Sequence, residues 1–559
     1  KKFIFLLLTV CVLYGITIRL FVLYNSDHLD FESVFRVQDS YRFAKHPAIF
    51  LYKPVIINSG TGGQSAYYFL NSLLLFFIDK PVLITRLTSL VFGILSIISF
   101  FYLLQLAFPL EISLASTFML SSYYIHAQLS TTQFANSGAI FFAISACYFL
   151  LNHMCANIKN RSKNNLIYAA IFTLLATSFR MEMWLLAPLF TLISIKTLKP
   201  TAFPPYNPVG QKTSFFNNQL KTSFAFLIIS SLYIIHTLIM FKTSRENCFS
   251  FLNTVLFHTS REKTNFNILA SRPDMPLYGK YQISIWLNSL IFSLSHFAMI
   301  CGTIGIQESL KKRKQGFFFI IFSAFFLMLT MRQLISNHFP FIRYSSILAI
   351  FFIPFIFSGI RRTVIFLLLI SKQGSRVIKT ATAICLVFSS CFFANYSLTK
   401  LADQMGFMQF QKQDHVYSFS NWMRRHAQPG DIIITSFSAL TISASAMLNK
   451  IVVSDPHIYD QYMLFSIFDY LTKNQSVLYN KAYEEISSFE KSLYLPLLER
   501  EINIRVLTDI KNPLPKPKRV IFALNEASLT FLQKNQSVLL QKVKLKYDGF
   551  VYSGILSLD

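Results

Sequence analysis

Four carboxylates, Asp27, Asp30, Glu32 and Asp39, follow the first apolar segment of this chain, the nearest within a few residues of its end. A carboxylate held at a membrane surface can accept the proton of a hydroxyl as a new bond forms. Any one of them also suits an ordinary solvated loop, so the group is more informative than its members. Further along, Arg180-Met181-Glu182-Met183-Trp184 sets opposite charges two residues apart beside an aromatic ring. Charged groups at that depth need partners, and the pair reads either as a binding element or as an internal salt bridge. Asn337-His338-Phe339-Pro340-Phe341-Ile342-Arg343-Tyr344 carries an arginine whose planar fork offers two aligned donors to phosphate oxygens. The competing reading of Arg343 and Tyr344 is an interfacial anchor. Between these elements lies Gln128-Leu129-Ser130-Thr131-Thr132-Gln133-Phe134-Ala135-Asn136-Ser137, a polar turn without a carboxylate.

The elements that must hold these residues are apolar segments. The 559 residues are 53% hydrophobic and 14% charged, against roughly 25% charge in soluble domains, and they include 60 Phe. Apolar runs occur at 3–24, 84–106, 112–126, 138–152, 165–179, 183–196, 223–241, 285–307, 316–331, 344–359 and 379–397. Several are shorter than the ~20 residues of a straight span, so their ends extend into flanking polar residues. The expectation is an all-α polytopic membrane domain over 1–399, with eleven transmembrane helices, and a soluble α/β domain over 400–559.

Charge orders these segments across the bilayer. The net charge of +26 belongs to the membrane part: residues 1–399 hold 34 Lys and Arg against 11 Asp and Glu, and residues 400–559 hold 18 against 15. Basic runs at Lys159 to Lys163 and Lys311 to Lys314 mark cytoplasmic loops, a topological role that argues against a nucleic-acid partner. The first run follows Lys1 and Lys2 and reads as an uncleaved anchor with a cytoplasmic amino end. Eleven crossings satisfy these constraints and leave the tail outside. The stretch from Tyr67 to Ile78 is then a short juxtamembrane helix. Loops 25–83 and 242–284 are outer loops, and the turns at 127–137, 180–182 and 332–343 share their side.

Seven cysteines show neither a disulfide framework nor metal-ligand spacing. The Pro-rich stretch 199–212 reads as a cytoplasmic connector. In the tail, amphipathic 416–426, strand 430–435, strand 450–453, helical 458–472, strands 502–507 and 519–524, and a hairpin around Asp548-Gly549 alternate as in an α/β domain. It holds neither a glycine-rich phosphate loop nor a nucleophile elbow, so docking or packing is its expected role.

The order of these elements resembles a known family. The acidic loop after helix one, the segment Pro81-Val82-Leu83-Ile84-Thr85-Arg86-Leu87-Thr88-Ser89-Leu90-Val91-Phe92-Gly93, the turn Phe179-Arg180-Met181-Glu182-Met183-Trp184-Leu185-Leu186-Ala187-Pro188 and the late Arg343-Tyr344 are similar to the polytopic C-type membrane glycosyltransferases. The protein O-mannosyltransferase and aminoarabinose-transferase groups are the nearest in kind. The resemblance covers residues 1–400 and implies inverting transfer of a sugar from a polyprenyl-phosphate donor to a lipid, protein or glycan acceptor on the outer face. It implies residence in a bacterial inner membrane with the tail extracytoplasmic. By the resemblance Asp30 is the catalytic base and Glu32 the second candidate. Basic residues gathered on the outer turns suggest that Arg343, with His338 or Arg180, binds the donor phosphate, and Glu182 and Tyr344 are expected to contact substrate. Phe31 separates the family's usual adjacent Asp-Glu pair, and Gln133 or Asn136 stands where many members have a second acid, so the use of a divalent metal is open.

Two other classes compete. A transporter or flippase of lipid-linked or small solutes predicts ionisable or helix-breaking residues in mid-span, and Arg19 inside the first run fits that pattern. A non-catalytic scaffold predicts no consequence from changing Asp30.

Overall fold

The computed structural model describes residues 2–25, 40, 65–78, 81–155, 163–196, 221–235, 290–336 except 292, and 342–410, together with five strands and Leu529 in the C-terminal part. Asp30, Glu32 and His338 lie outside these residues, as do the outer loop 242–284 and the tail segments 416–426, 458–472 and 502–507.

The described helices are α1 (Lys2–Asn25), α2 (Ser65–Leu75), α3 (Pro81–Gln105), α4 (Leu110–Ser122), α5 (Tyr124–Leu129), α6 (Asn136–Cys155) and α7 (Lys163–Phe179). They continue with α8 (Leu186–Lys196), α9 (Lys221–Ile235), α10 (His296–Ser309), α11 (Arg313–Ser336), α12 (Ile342–Ile370) and α13 (Ser375–Phe410). A short 3-10 helix, Met181–Leu185, links α7 to α8. Six helices among the described residues are long and apolar enough to cross a bilayer: α1, α6 and the greater parts of α3, α11, α12 and α13. The protein is an integral membrane protein.

Two compact units divide the chain. One comprises residues 1–25 and 86–406, the other residues 26–85 and 407–559.

Within the first unit, the apolar run at 112–126 is not one helix. It breaks at Tyr123, whose extended backbone (φ −61°, ψ 112°) separates α4 from α5. Backbone groups freed inside a membrane bundle must find partners there, and side chains from distant helices supply them. Arg19 of α1, fully buried, donates to the carbonyl of Ser121 at 2.8 Å and to Nδ1 of His126 at 2.5 Å. Ser397 of α13 donates to the Ser122 carbonyl at 2.8 Å and accepts from the Tyr124 amide at 2.8 Å. Hydropathy reads this stretch as continuous because the break costs no apolar residue.

Helices α10 and α12 meet through small residues. A Cβ on Gly305 would overlap the Phe355 carbonyl, and one on Gly359 would overlap the Cys301 carbonyl, so the two backbones touch as membrane helices with small residues at their crossing do. Around this crossing Phe108, Phe318, Phe322, Phe351 and Phe355 stack edge to face or tilted, filling the core with aromatic rings. Beyond it, Glu308 at the end of α10 pairs with Lys312 at 3.2 Å and with Arg362 of α12. Helix α12 continues past the expected end at 359 through Arg361 and Arg362 to Ile370.

The second unit contains a five-stranded sheet. Strands β1 (Ile432–Thr435), β2 (Ile451–Ser454), β3 (Arg519–Leu524), β4 (Lys546–Tyr547) and β5 (Tyr552–Ser557) stand in the order β2-β1-β3-β5-β4. β1 is parallel to β2 and β3, and its uninterrupted Ile432-Ile433-Ile434 is the apolar run expected of a parallel strand. β4 and β5 pair antiparallel, Tyr547 opposite Tyr552, and the expected turn residues Asp548-Gly549 lie outside the described residues. In the same unit Tyr67 of α2 donates to the Thr85 carbonyl at 2.9 Å.

Candidate active site

The turn at 130–135, between α5 and α6, is the meeting point of four elements of the membrane unit. Arg86, near the start of α3, holds it from one side. Its Nε donates to the Thr131 carbonyl at 2.8 Å, and its second amino group donates to the Leu23 carbonyl in the last turn of α1 at 2.9 Å. One planar guanidinium thus ties the end of α1 to the turn, a geometry an ammonium could not copy with the same two directions. One helical turn along α3, Ser89 donates to the Phe134 carbonyl at 3.0 Å. One further turn on, Gly93 leaves no room for a Cβ against Ser130. Positions 86, 89 and 93 share one face of α3 by the i, i+3, i+4 rule.

Arg180 holds the other side. Residue 180 leaves the helical region at the end of α7 (φ −148°, ψ 111°), and its guanidinium donates to Oδ1 of Asn136, the first residue of α6, at 2.7 Å. Gly138 lets the Phe179 ring lie against the first turn of α6. Arg180 is buried, and the amino terminus of α6 beside it carries the positive end of the helix dipole. An arginine next to a helix amino terminus is an arrangement suited to an anion.

The expected site residues distribute as follows. Arg180 belongs to this cluster. Glu182 sits in the 3-10 helix and Arg343 and Tyr344 in the first turn of α12; their backbones are described and their side chains are not. Asp30 and Glu32 follow α1, whose last residue is Asn25. Arg86 joins the expected residues; the sequence signals it only as an ionisable residue near the start of a long apolar helix. Among the described residues no three of His, Cys, Asp and Glu gather as metal ligands. Gln133 and Asn136 are neutral amides, poor substitutes for the carboxylates that hard cations take.

The chain shares its fold with solved membrane-protein structures. Structures similar to the chain include ArnT, an aminoarabinose transferase from Cupriavidus metallidurans, bound to undecaprenyl phosphate: TM-score 0.60, 9% identity, covering 99% of this chain and 98% of that one. The same protein in the apo state superposes with TM-score 0.58 at 8% identity, covering 99% of this chain and 98% of that one. The Archaeoglobus fulgidus oligosaccharyltransferase in its apo form is similar over 93% of this chain and 69% of its own length, with TM-score 0.50 and 13% identity. No protein-family model and no curated protein sequence matches the chain.

Proposed function

We propose that the protein is a multi-pass membrane glycosyltransferase that moves a sugar from a polyprenyl-phosphate donor to an acceptor on the outer face, inverting the anomeric carbon. The observation that carries this reading is the convergence of α1, α3, the 130–135 turn and α7, tied by Arg86 and Arg180. The fold it shares with ArnT, crystallised with undecaprenyl phosphate, supports the same class of donor.

In the proposed reaction the acceptor oxygen attacks the anomeric carbon while the bond from that carbon to the phosphate oxygen breaks. Asp30 takes the acceptor's proton, and the bonding electrons leave with the polyprenyl phosphate. Arg343, His338 and Arg180 bind the phosphate as its charge grows, and Glu182 and Tyr344 contact the substrate. Glu32 supports Asp30, either by hydrogen bonding or through a divalent cation. The long lipid chain of the donor keeps the reactive phosphate at the interface, where the outer turns end.

In this topology eleven crossings leave 25–83 and 400–559 on the outer side of a bacterial inner membrane, with an α/β tail domain. The grouping of 26–85 with 407–559 in one unit supports that parity, since segments that pack together share a side. So does the basic turn Lys311-Lys312 between α10 and α11. Arg19, whose position suited a transport pathway, donates to Ser121 and His126 at the break between α4 and α5. That use in packing favours the transferase reading over transport.

The experiment is transfer of radiolabelled sugar from polyprenyl-phosphate donors in membranes bearing the full chain, compared with the Asp30→Asn variant. Label must reach an acceptor in the first and fail to in the second. Absence of transfer with every donor of a hexose and pentose panel would remove the proposal.

A further inference from the structure

Gln133 lies in the middle of the 130–135 turn and is fully buried, yet neither its amide nitrogen nor its amide oxygen has a hydrogen-bond partner among the described residues. Ser137, the second residue of α6 at its positive dipole end, is also fully buried, and its hydroxyl likewise lacks a partner among the described residues. Buried polar groups are paired in the great majority of cases, and an exception calls for an explanation. The groups on either side of them are already engaged. Arg86 holds the Thr131 carbonyl, Ser89 holds the Phe134 carbonyl, and Arg180 holds Asn136. The turn is therefore tied on both sides of an unsatisfied amide.

The chemistry of the amide narrows what completes it. Its nitrogen only donates and its oxygen only accepts. A phosphate, which only accepts at neutral pH, would satisfy the nitrogen and strand the oxygen. A sugar hydroxyl both donates and accepts, so two neighbouring hydroxyls of one ring satisfy both ends of the amide. Arg180, beside the same turn, has the charge an anion needs and Gln133 does not, which separates phosphate binding from sugar binding along one stretch of chain.

We propose that Gln133 recognises hydroxyls of the sugar carried by the donor, with Ser137 beside it, and so contributes to which sugar is transferred. This rests on the glycosyltransferase reading above. Protein groups preorganised around a substrate stay unsatisfied until it arrives, and this makes removal of the amide diagnostic. Gln133→Met keeps the length and volume of the side chain and removes both polar atoms.

The test uses the full chain purified in detergent, as wild type, Gln133→Met and Gln133→Glu. Melting temperature is measured without ligand. Affinity is measured for undecaprenyl phosphate alone and for a panel of undecaprenyl-phosphate hexoses and pentoses. The wild type is expected to bind at least one sugar-bearing donor about ten-fold tighter than the bare carrier, the equivalent of about 1.4 kcal/mol. Gln133→Met should melt no lower than the wild type, keep its affinity for the bare carrier and lose the ten-fold increment; Gln133→Glu, which cannot donate when ionised, should lose it too.

An increment retained in Gln133→Met overturns the inference, as does a Gln133→Met protein that melts well below the wild type, since the amide would then be satisfied by water inside the fold. A wild type that binds the bare carrier with no increment for any sugar overturns the inference and leaves the transferase reading standing. A wild type that binds neither removes both.

Discussion

Arg86 and Thr131 stand 45 residues apart and are joined by a hydrogen bond of 2.8 Å from the arginine Nε to the threonine carbonyl. The same guanidinium reaches Leu23 on α1. Arg86 thus ties down the last turn of α1, seven residues before Asp30 in the sequence. Replacement by alanine strands two carbonyls, at about 1–3 kcal/mol for each that is left unpaired. Arg86→Ala should lower the melting temperature of the detergent-purified protein and reduce transfer, while Arg86→Lys, which retains charge without the fork, should preserve more stability than activity. Full activity in Arg86→Ala would show that α1 needs no tie at this point.

Asp30→Asn is nearly isosteric and cannot accept a proton at neutral pH. Transfer should fall by the ~100-fold to ~10,000-fold typical of a lost general base, with expression and donor binding kept. Glu32→Gln is the companion measurement. If that variant loses transfer while Asp30→Asn retains it, the base is Glu32; if neither matters, the mechanism has no base.

For Arg343 the distinguishing change is to lysine. Arg343→Lys keeps the positive charge and loses the two aligned donors, so affinity for undecaprenyl phosphate should weaken more than thermal stability does. Donor affinity equal to that of the wild type would remove Arg343 from the phosphate site.

Orientation is tested by cysteine accessibility in intact cells. Single cysteines near Arg161 and Lys312 should label only after permeabilisation, and those in 25–65 and 400–559 should label at once. Tail residues that label only after permeabilisation would invert the parity of the whole chain.

At the crossing of α10 and α12, Gly305→Leu should be severe, because the new side chain meets the Phe355 carbonyl rather than a movable side chain. The expected result is loss of folded protein in detergent-solubilised membranes. Gly316→Ala, where a Cβ would meet nothing closer than 3.9 Å, serves as the control and should behave as wild type.

Much of this architecture was legible in the order of residue types. Long apolar runs identify α1, α3, α6 and α13 because a bilayer demands length and hydropathy, both local properties. Strand β3 occupies the stretch 519–524 expected for it, and β4 pairs antiparallel with β5 on either side of Asp548-Gly549. Arg180 was legible as a charge too costly to lie idle. What only the tertiary structure decided is which distant groups meet. The break at Tyr123 leaves no mark in hydropathy, since Arg19 and Ser397 satisfy its backbone from helices far away in sequence. The partners of Arg86 lie 45 and 63 residues from it, distances over which no periodicity speaks. Gln133 stands out in the sequence only as a neutral amide where an acid is usual; that packing buries its amide and leaves both ends unpaired is visible only in the fold. Hydropathy and turn chemistry act along the chain, whereas satisfaction of buried polar groups is a property of the packed whole.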